Sequence, residues 1–310
     1  MMIRWAKVAK SKLSDSELMG ALQIDANTLE MFKRVRENAL KEARTMDARK
    51  NVKIRVLGIS GSARDVAETS QENSNSEELL KRCLEYCREL GAETELIPLR
   101  KYDIRHCKAC YSTTNTQCHF YCTCYPRGPE GDDMTNILYD KILGADAIIF
   151  ATPVNNFKIS ALMANFIDRC ISLDGSLEPA NPQRPKDKEL NKKHMKFIEL
   201  TADNDVLGSG MLRRFLGKVA GIIVTGHEAG ATLAISTLFL TLNQFGMLFP
   251  PFSCMYAMSS VCYSTYEDKK IVLSECYIEE TRMLAKNVMA AVKFGGDSKP
   301  SDWVYDYRAD

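Results

Sequence analysis

A loop of small and hydroxyl-bearing residues in the first third of the sequence carries the residue types that bind phosphate. The apolar, β-branched run Val52–Ile59 predicts a buried parallel strand. The strand ends abruptly in a polar loop that contains Ser60, Gly61, Ser62 and Arg64. Glycine allows the backbone to approach a ligand closely, while hydroxyl, guanidinium and free amide groups donate hydrogen bonds to it.

A helix start follows this loop about ten residues later. Ser74 or Asn75 is the predicted N-cap, Ser76 lies in the first turn, and Glu77 or Glu78 stands three positions after the cap. A strand, a hydroxyl-rich loop and a helix N-terminus together form a phosphate cradle, because the helix dipole favours the anion. The alternative is an ordinary turn between two elements. The loop is neither GxxxxGK[ST] nor GxGxxG, which favours a mononucleotide over ATP or a dinucleotide.

A second group of reactive residues is a dense set of thiols. Five of the eleven cysteines fall within one short segment: Cys107, Cys110, Cys118, Cys122 and Cys124. Thiolates packed this densely indicate a soft metal ion or a cluster, since such a cation compensates adjacent negative sulfurs. A [4Fe–4S] cluster held by four of the five is one hypothesis. Structural zinc and free or redox-active thiols are the alternatives.

Both groups lie in a sequence that alternates strand and helix patterns from residue 52 onward. Further strands are predicted at 94–99, 147–151, 219–225 and 247–251, with helices at 76–90, 134–143, 161–173, 231–245 and 274–292. This alternation favours a parallel sheet covered on both faces. Residues 1–51 read as a helical N-terminal extension, 52–295 as the main domain and 296–310 as a tail. A polar, Pro-rich insertion spans about 174–212, with a short extra strand predicted at 195–200.

Three predicted strands end in distinctive loops, and ligands of open α/β sheets bind at such ends. The second loop reads Thr152, Pro153, Val154, Asn155, Asn156, Phe157, and the third reads Thr225, Gly226, His227, Glu228, Ala229, Gly230. With the loop from Ser60 to Ser76, this order resembles the NADPH-dependent FMN reductases, most closely their iron–sulfur flavoprotein branch. The resemblance covers about 52–260 without the insertion. It implies a flavodoxin-like, doubly wound, five-stranded parallel sheet.

The resemblance also implies roles for the three loops. The first would hold the FMN phosphate through Ser60, Ser62, Arg64, Asn75 and Ser76. The second, followed by Ser160 and by Asp168-Arg169, would border the flavin ring, with stacking assigned to Phe157 because Asn155 replaces an aromatic residue. The third would meet the flavin pyrimidine through its backbone amides, and His227 is the candidate proton donor. The implied activity is that of an FMN-dependent oxidoreductase using NAD(P)H, or of an electron-transfer module between FMN and a cluster.

The cysteine loop departs from the pattern of that branch. Its members carry CxxCxxC and a fourth cysteine before an Asp-Asp-Met helix start, and this sequence keeps Cys107, Cys110 and Asp132-Asp133-Met134. Thr113 stands where the third cysteine is expected, and three cysteines are displaced to later positions.

Composition limits the partners and the compartment. A net charge of +1 gives no global field for nucleic acid or a membrane surface. The sequence has no apolar run long enough to span a bilayer and no signal-peptide core, which predicts a cytoplasmic protein. The apolar stripe of the N-terminal extension predicts a homo-oligomer, a dimer or tetramer. The partners implied by the resemblance are a small-molecule or protein electron donor and acceptor.

Overall fold

Five parallel strands form the centre of the molecule. The computed structural model describes residues 13–48, 53–67, 72–113, 118–203, 206–226, 230–258 and 265–295. The strands are β1 (Arg55–Ser60), β2 (Glu93–Pro98), β3 (Ala147–Asn155), β4 (Lys158–Ile159), β5 (Val219–Gly226) and β6 (Cys254–Met258). The order across the parallel sheet is β2-β1-β3-β5-β6, and β4 pairs antiparallel with the end of β3. The predicted five-stranded, flavodoxin-like sheet is confirmed.

Helices cover both faces of this sheet. In chain order they are α1 (Asp15–Leu22), α2 (Ala26–Ala48), α3 (Asn75–Glu89), α4 (Cys110–Thr113), α5 (Tyr139–Gly144), α6 (Ala161–Cys170), α7 (Lys188–Thr201), α8 (Ala231–Gln244), α9 (Thr265–Val272) and α10 (Glu275–Phe294). Helices α3 and α10 bury their apolar residues against one face. Helices α5, α6 and α8 and part of the cysteine loop pack on the other. Within the described residues, no helix combines the length and apolarity that a bilayer crossing requires.

The N-terminal helices form a separate cluster with the insertion. The stripe predicted on the extension is buried and comprises Leu29, Phe32, Val35, Ala39 and Ala43. It packs against apolar residues of the insertion, including Phe197 and Ile198 of α7. The stripe therefore has its partner within the same chain, which removes the reason for assigning oligomer formation to the extension.

Two predicted strands are wrong in type or place. Residues 195–200 belong to α7, whose buried side chains Asn191, His194, Phe197 and Ile198 recur at helical spacing; a short apolar run does not distinguish helix from strand. The last strand was expected at 247–251 and lies at Cys254–Met258 instead. Pro250 and Pro251 lack the amide hydrogens that a ladder needs, so the pairing with β5 begins after them. Leu248 makes only an isolated bridge to Val219.

Candidate functional site

The first two predicted loops meet at the carboxyl edge of the sheet. The Gly61 amide donates to the Ala151 carbonyl at 2.8 Å, and the Ser160 hydroxyl donates to the Gly61 carbonyl at 2.6 Å. A Cβ at Gly61 would lie 2.8 Å from the Met163 Cβ, so only glycine permits this close approach of the loop to α6. Ser160 also caps α6 by accepting the Met163 amide. The loop after β1 is thus fixed directly on the N-terminus of α6.

The first loop presents donors of the kind that bind a phosphate monoester. Ser62 is buried, and its hydroxyl accepts the Arg64 amide at 3.2 Å. Helix α3 begins next to this loop with Ser74 as N-cap, as predicted. The first-turn amides of Asn75 and Ser76 have no acceptor within the helix, because the first amides of any α-helix lack one. The Arg64 side chain is exposed, and its guanidinium lies 3.8 Å from the Glu72 carboxylate.

A buried carboxylate that was not recognised from the sequence organises the same loop. Glu77 accepts the Ser60 hydroxyl at 2.9 Å and pairs with Arg100, which also contacts Asp65. Burial raises the pKa of Glu77, whereas Arg100 and Ser60 lower it. The resulting pKa lies below the ordinary value of a glutamate. The Ser60 hydroxyl therefore donates to Glu77, and its predicted contact with the FMN phosphate stays a prediction. Arg100 ties the loop to α3 from beyond β2.

The second predicted loop is a continuation of β3 that turns into a tight hairpin. Thr152 and Pro153 lie opposite Val224 and Thr225 of β5, and Val154 pairs with Ile159 of β4. The Thr152 hydroxyl accepts the Ser160 amide at 3.1 Å, which closes the hairpin onto the start of α6. The sequence placed a loop where the backbone is mostly strand.

The hairpin tip holds an aromatic residue in an unusual backbone conformation. Asn156 and Phe157 have φ values of 49° and 63°, as a two-residue hairpin turn requires. A bulky aromatic residue rarely adopts this region, and such strain concentrates at ligand sites. Phe157 is 59% exposed, so its ring is available for contact. Asn155 and Asn156 are also exposed.

The third predicted loop packs directly on this hairpin. Gly226 faces Val154, and a Cβ at Gly230 would lie 2.6 Å from the Phe157 Cα. Gly230 is therefore required for the contact between the two loops. Thr225 is buried at the end of β5. The predicted contributions of His227 and Glu228 lie outside the described residues.

The cysteine loop brings several of its thiols into contact. The Cys110 thiol, at the start of α4, is within hydrogen-bonding reach of those of Cys118 and Cys124, and Cys124 contacts Cys122. Cys107 is half-buried and its sulfur accepts the Ala109 amide at 3.4 Å. None of the cysteines in the described part of the chain forms a disulfide.

The thiols of the cysteine loop are ligands that soft metal ions prefer, but they are not arranged around a common metal position. Among the described residues, no three Cys, His, Asp or Glu side chains converge as they would around a metal ion. Hydrogen bonds with Cys118 and Cys124, together with Lys186, hold the pKa of Cys110 well below its ordinary value. The same contacts with Cys110 raise the pKa of Cys118 and of Cys124.

A fully buried ion pair holds the cysteine loop on α6. The carboxylate of Asp132 and the guanidinium of Arg169 are paired, with side-chain exposures of 0% and 1%. Arg169 also donates to the Arg105 carbonyl at 2.8 Å and to the Thr135 hydroxyl at 3.2 Å, while Asp132 accepts the Arg105 amide. The resemblance had placed Arg169 near the flavin ring. In the structure its contacts with Asp132 and Arg105 hold the cysteine loop against α6.

The insertion and the N-terminal helices close over the other side of the cysteine loop. Lys186 of the insertion donates to the Cys110 sulfur at 3.1 Å, and the Phe120 amide donates to the Leu177 carbonyl at 3.0 Å. Arg214 lies 4.0 Å from the centre of the Phe120 ring and makes a two-pronged ion pair with Glu42 of α2 at 2.7 and 2.8 Å. Sequence reasoning missed these links, because they join residues far apart in the chain.

Residues 54–257 match the sequence pattern that defines the NADPH-dependent FMN reductases. The chain belongs to this family. The match includes all three loops at the carboxyl edge and the cysteine loop, and it excludes the N-terminal helices. The family predicted from the loop motifs is confirmed.

Curated relatives carry the name of the predicted branch. An iron–sulfur flavoprotein of Archaeoglobus fulgidus is 31% identical over 100 residues, which are 32% of this chain and 44% of that protein. An iron–sulfur flavoprotein of Methanosarcina thermophila is 30% identical over 120 residues, covering 39% of this chain and 54% of the relative. The chain thus spans about half the length of the curated relatives it matches.

A solved structure shares the fold. A crystal structure of RosB with a bound 8-demethyl-8-formylriboflavin-5'-phosphate intermediate superposes with a TM-score of 0.56 at 16% identity. The superposition covers 82% of this chain and 83% of the other. At this identity the likeness concerns the fold alone.

Proposed function

We propose that this protein is an FMN-dependent oxidoreductase that takes electrons from NAD(P)H and passes them to a flavin, a quinone or another small acceptor. One observation carries the proposal: the loops after β1, β3 and β5 converge at the carboxyl edge of a family-typical sheet and are held there by Gly61, Ser160 and Gly230. Bound FMN supplies the isoalloxazine ring that accepts and donates electrons. The residues of the chain bind and orient it.

The first loop fits a terminal phosphate by the chemistry of its donors. The Ser62 hydroxyl, the Arg64 guanidinium and the first-turn amides of α3 all donate hydrogen bonds, and the helix dipole adds a favourable field. The buried carboxylate of Glu77 is compensated by Arg100, so it does not leave an unpaired negative charge beside the anion. The loop is built for a monoester, which supports FMN rather than FAD.

The hairpin and the third loop supply the ring site of this proposal. Phe157 is the exposed aromatic residue at the hairpin tip, and we assign to it the contact with the flavin ring. Gly230 keeps the start of α8 against the hairpin, and the amides of the third loop would donate to the polar edge of a bound flavin ring.

Flavin identity and binding test the proposal. Flavin released by acid should be FMN, and release of FAD would contradict the phosphate assignment. Replacing Ser62 and Arg64 with alanine should raise the Kd for FMN by about tenfold or more for each lost bond, since a hydrogen bond to a charged group is worth roughly 1.5–3 kcal/mol. The exposed pair Ser16→Ala with Arg282→Ala is the matched control and should bind FMN normally.

Reduction by nicotinamide tests the activity itself. Anaerobic NADPH or NADH should bleach the absorbance of the oxidised flavin stoichiometrically. Full bleaching by a reduced ferredoxin-like protein, with none by either nicotinamide, would favour the second candidate function instead. That candidate is an electron-transfer module that relays electrons between FMN and a cluster in the cysteine loop.

The gathering of thiols around Cys110 supports this second candidate. A [4Fe–4S] cluster would take four of Cys107, Cys110, Cys118, Cys122 and Cys124, and structural zinc is the alternative ligand. The positive charge of Lys186 beside Cys110 suits a thiolate-rich centre. Within the described residues these thiols do not converge on one metal position, so binding of a cluster would require them to move closer together.

Elemental analysis after anaerobic purification distinguishes the versions of this site. About four irons with acid-labile sulfide per chain, lost in Cys110→Ala and kept in the exposed control Cys276→Ala, would support the cluster. One zinc without iron would make the loop structural. The absence of any metal, with every cysteine reactive in denaturant, would leave a set of thiols.

We also propose the cytoplasm as the compartment. None of the ten cysteines in the described part of the chain forms a disulfide, and a reducing environment keeps cysteines in this state. Fractionation of cells that express the tagged protein tests this assignment.

A further inference from the structure

Arg100 makes three hydrogen bonds to two carboxylates, one in α3 and one in the loop after β1. Both of its terminal nitrogens donate to Glu77 in the first turn of α3, and its Nε donates to Asp65 of the loop at 3.2 Å. The side chains of Arg100 and Glu77 are 16% and 8% exposed. A two-pronged, charge-assisted contact of this kind fixes the orientation of the carboxylate as well as its charge. Arg100 therefore determines where the Glu77 carboxylate lies.

Helices α1 and α3 begin with the same cap sequence but use its glutamate differently. Both start with Ser-x-Ser-Glu, and in both the first serine accepts the amide of the glutamate at 3.4 Å. In α1 the Glu17 carboxylate also accepts the Ser14 amide at 2.7 Å, which completes a capping box. In α3 the Glu77 carboxylate bonds to Arg100 instead. No acceptor in the described part of the chain contacts the Ser74 amide, so the cap of α3 keeps one more open donor than that of α1.

This open amide lies beside the donors already assigned to the phosphate. The amides of Asn75 and Ser76 follow it directly and also lack an acceptor within the helix. Consecutive free amides at a helix N-terminus suit a phosphate monoester, because the helix dipole favours the anion. A carboxylate that closed the capping box would occupy the Ser74 amide and bring a negative charge to the same place. It would compete with the phosphate for this end of the helix.

We propose that Arg100 is a positioning residue for FMN binding, which holds the Glu77 carboxylate away from the cap and keeps the Ser74 amide open for the phosphate. The inference rests on the FMN assignment of the proposed function and adds the residue that keeps its phosphate donors open. Without Arg100, the other partners of Glu77 are the Ser60 hydroxyl and the Lys81 ammonium, which lies 3.4 Å away. The carboxylate would then close onto the Ser74 amide, as its counterpart does in α1. Even before it closed, its uncompensated charge would repel the phosphate.

The consequence is a preference for the phosphorylated flavin. Riboflavin carries the same ring as FMN and lacks the phosphate, so the position of the Glu77 carboxylate matters for FMN and not for riboflavin. Arg100 contacts neither the hairpin nor the third loop among the described residues, and its effect is confined to the phosphate end of the site.

Titration of the flavin-free, full-length protein with FMN and with riboflavin tests the proposal. Arg100→Met should raise the Kd for FMN by about tenfold or more, the effect of losing a hydrogen bond to a charged group, and should leave the Kd for riboflavin unchanged. Adding Glu77→Gln to Arg100→Met should restore most of the FMN affinity, because the competing negative charge is gone. A merely structural role of Arg100 predicts no such rescue.

Two further variants complete the design. Arg55→Met is the matched control: Arg55 pairs with Glu93 at the other end of β1, both side chains are exposed, and its variant should bind FMN like the wild type. Arg100→Lys leaves the buried carboxylate with a counter-charge and is the milder substitution should Arg100→Met fail to fold. One ammonium cannot reproduce the fork of the guanidinium, so this variant should lose part of the preference for FMN over riboflavin.

Two results would overturn this inference while FMN binding itself stood. One is a ratio of FMN to riboflavin affinity that neither Arg100→Met nor Arg100→Lys changes. The other is a loss of FMN affinity that Glu77→Gln does not restore, which would mean that Arg100 acts on the phosphate without Glu77. A wild type that binds riboflavin as tightly as FMN would overturn the phosphate assignment of the proposed function and this inference together.

Discussion

Replacing Arg169 with methionine should be among the most damaging single substitutions in the cysteine-loop region. The substitution keeps a long, unbranched side chain at this buried position of α6 and removes the guanidinium. Asp132 would then be a fully buried carboxylate with backbone amides of Arg105 and Thr135 as its remaining donors. Its hydrogen bonds to these amides do not neutralise its charge.

The magnitude follows from burial and from the number of bonds lost. Burial raises the pKa of Asp132, whereas the guanidinium of Arg169 lowers it. The resulting pKa lies below the ordinary value of an aspartate. The carboxylate is therefore charged in the folded protein because Arg169 is present. Removing one partner of a buried ion pair costs about 3–5 kcal/mol. The bonds of Arg169 to the Arg105 carbonyl and the Thr135 hydroxyl are lost as well.

Urea unfolding of a double-mutant cycle measures this effect. Arg169→Met should lower the free energy of unfolding by about 3–5 kcal/mol, and adding Asp132→Asn should restore part of it, because the uncompensated charge is gone. Lys196→Met is the control, since its ion pair with Glu199 is exposed and is worth about 0–1 kcal/mol. Under native conditions, thiol reagents should react faster with the cysteine loop of Arg169→Met than with that of the control.

Two results would refute this reasoning. A loss of less than about 1 kcal/mol in Arg169→Met would mean that the pair is not the anchor of the loop. Additive effects in the double variant would mean that Asp132 and Arg169 do not act on each other.

Two further substitutions test other contacts. Gly230→Ala should destabilise the protein by about 1–3 kcal/mol and weaken FMN binding, because its Cβ would overlap the Phe157 backbone; Gly20→Ala, with no atom within 4 Å, should not destabilise it. Burial lowers the pKa of His194 to about 3, so the unfolded chain binds a proton there below pH 6.5 that the folded chain does not. Through this residue, the free energy of unfolding should fall by about 2 kcal/mol between pH 8 and pH 5. Urea denaturation at several pH values should show that this decrease is absent in His194→Leu and retained in the exposed control His106→Leu.

Local patterns predicted the elements well where local contacts decide the structure. Ser14 and Glu17 have the sequence spacing of a capping box, and they form one, with each side chain bonded to the other residue's backbone. The same signal at Ser74 predicted the start of α3, and the helix does begin there. The Glu77 carboxylate, however, bonds to Ser60 and Arg100 instead of the cap. The guanidinium of a residue beyond β2 outcompetes a backbone amide for a buried carboxylate, and local spacing cannot reveal it.

The order of the loops could be predicted, and their side-chain roles only in part. All strands of a parallel sheet end at the same edge, so the alternation of strands and helices in the sequence was enough to predict that the three loops meet there. The Ser62 hydroxyl accepts the Arg64 amide within the loop after β1, whereas the hydroxyls of Ser60 and Thr152 are bonded to Glu77 and to the Ser160 amide. A serine or threonine hydroxyl in a binding loop can donate to a ligand or make an internal hydrogen bond that stabilises the loop. Which of the two it does depends on its neighbours in three dimensions.

Helix α6 contacts both candidate centres, the loop after β1 and the cysteine loop. Ser160 at its start holds the loop after β1 and closes the hairpin, and Arg169 near its end holds the cysteine loop. Nine residues of helix separate these two anchors, or about 14 Å along the axis. A rigid helix of this length fixes the spacing between the loop after β1 and the anchor of the cysteine loop. The insertion also contacts this region, because Lys186 donates to the Cys110 sulfur at 3.1 Å.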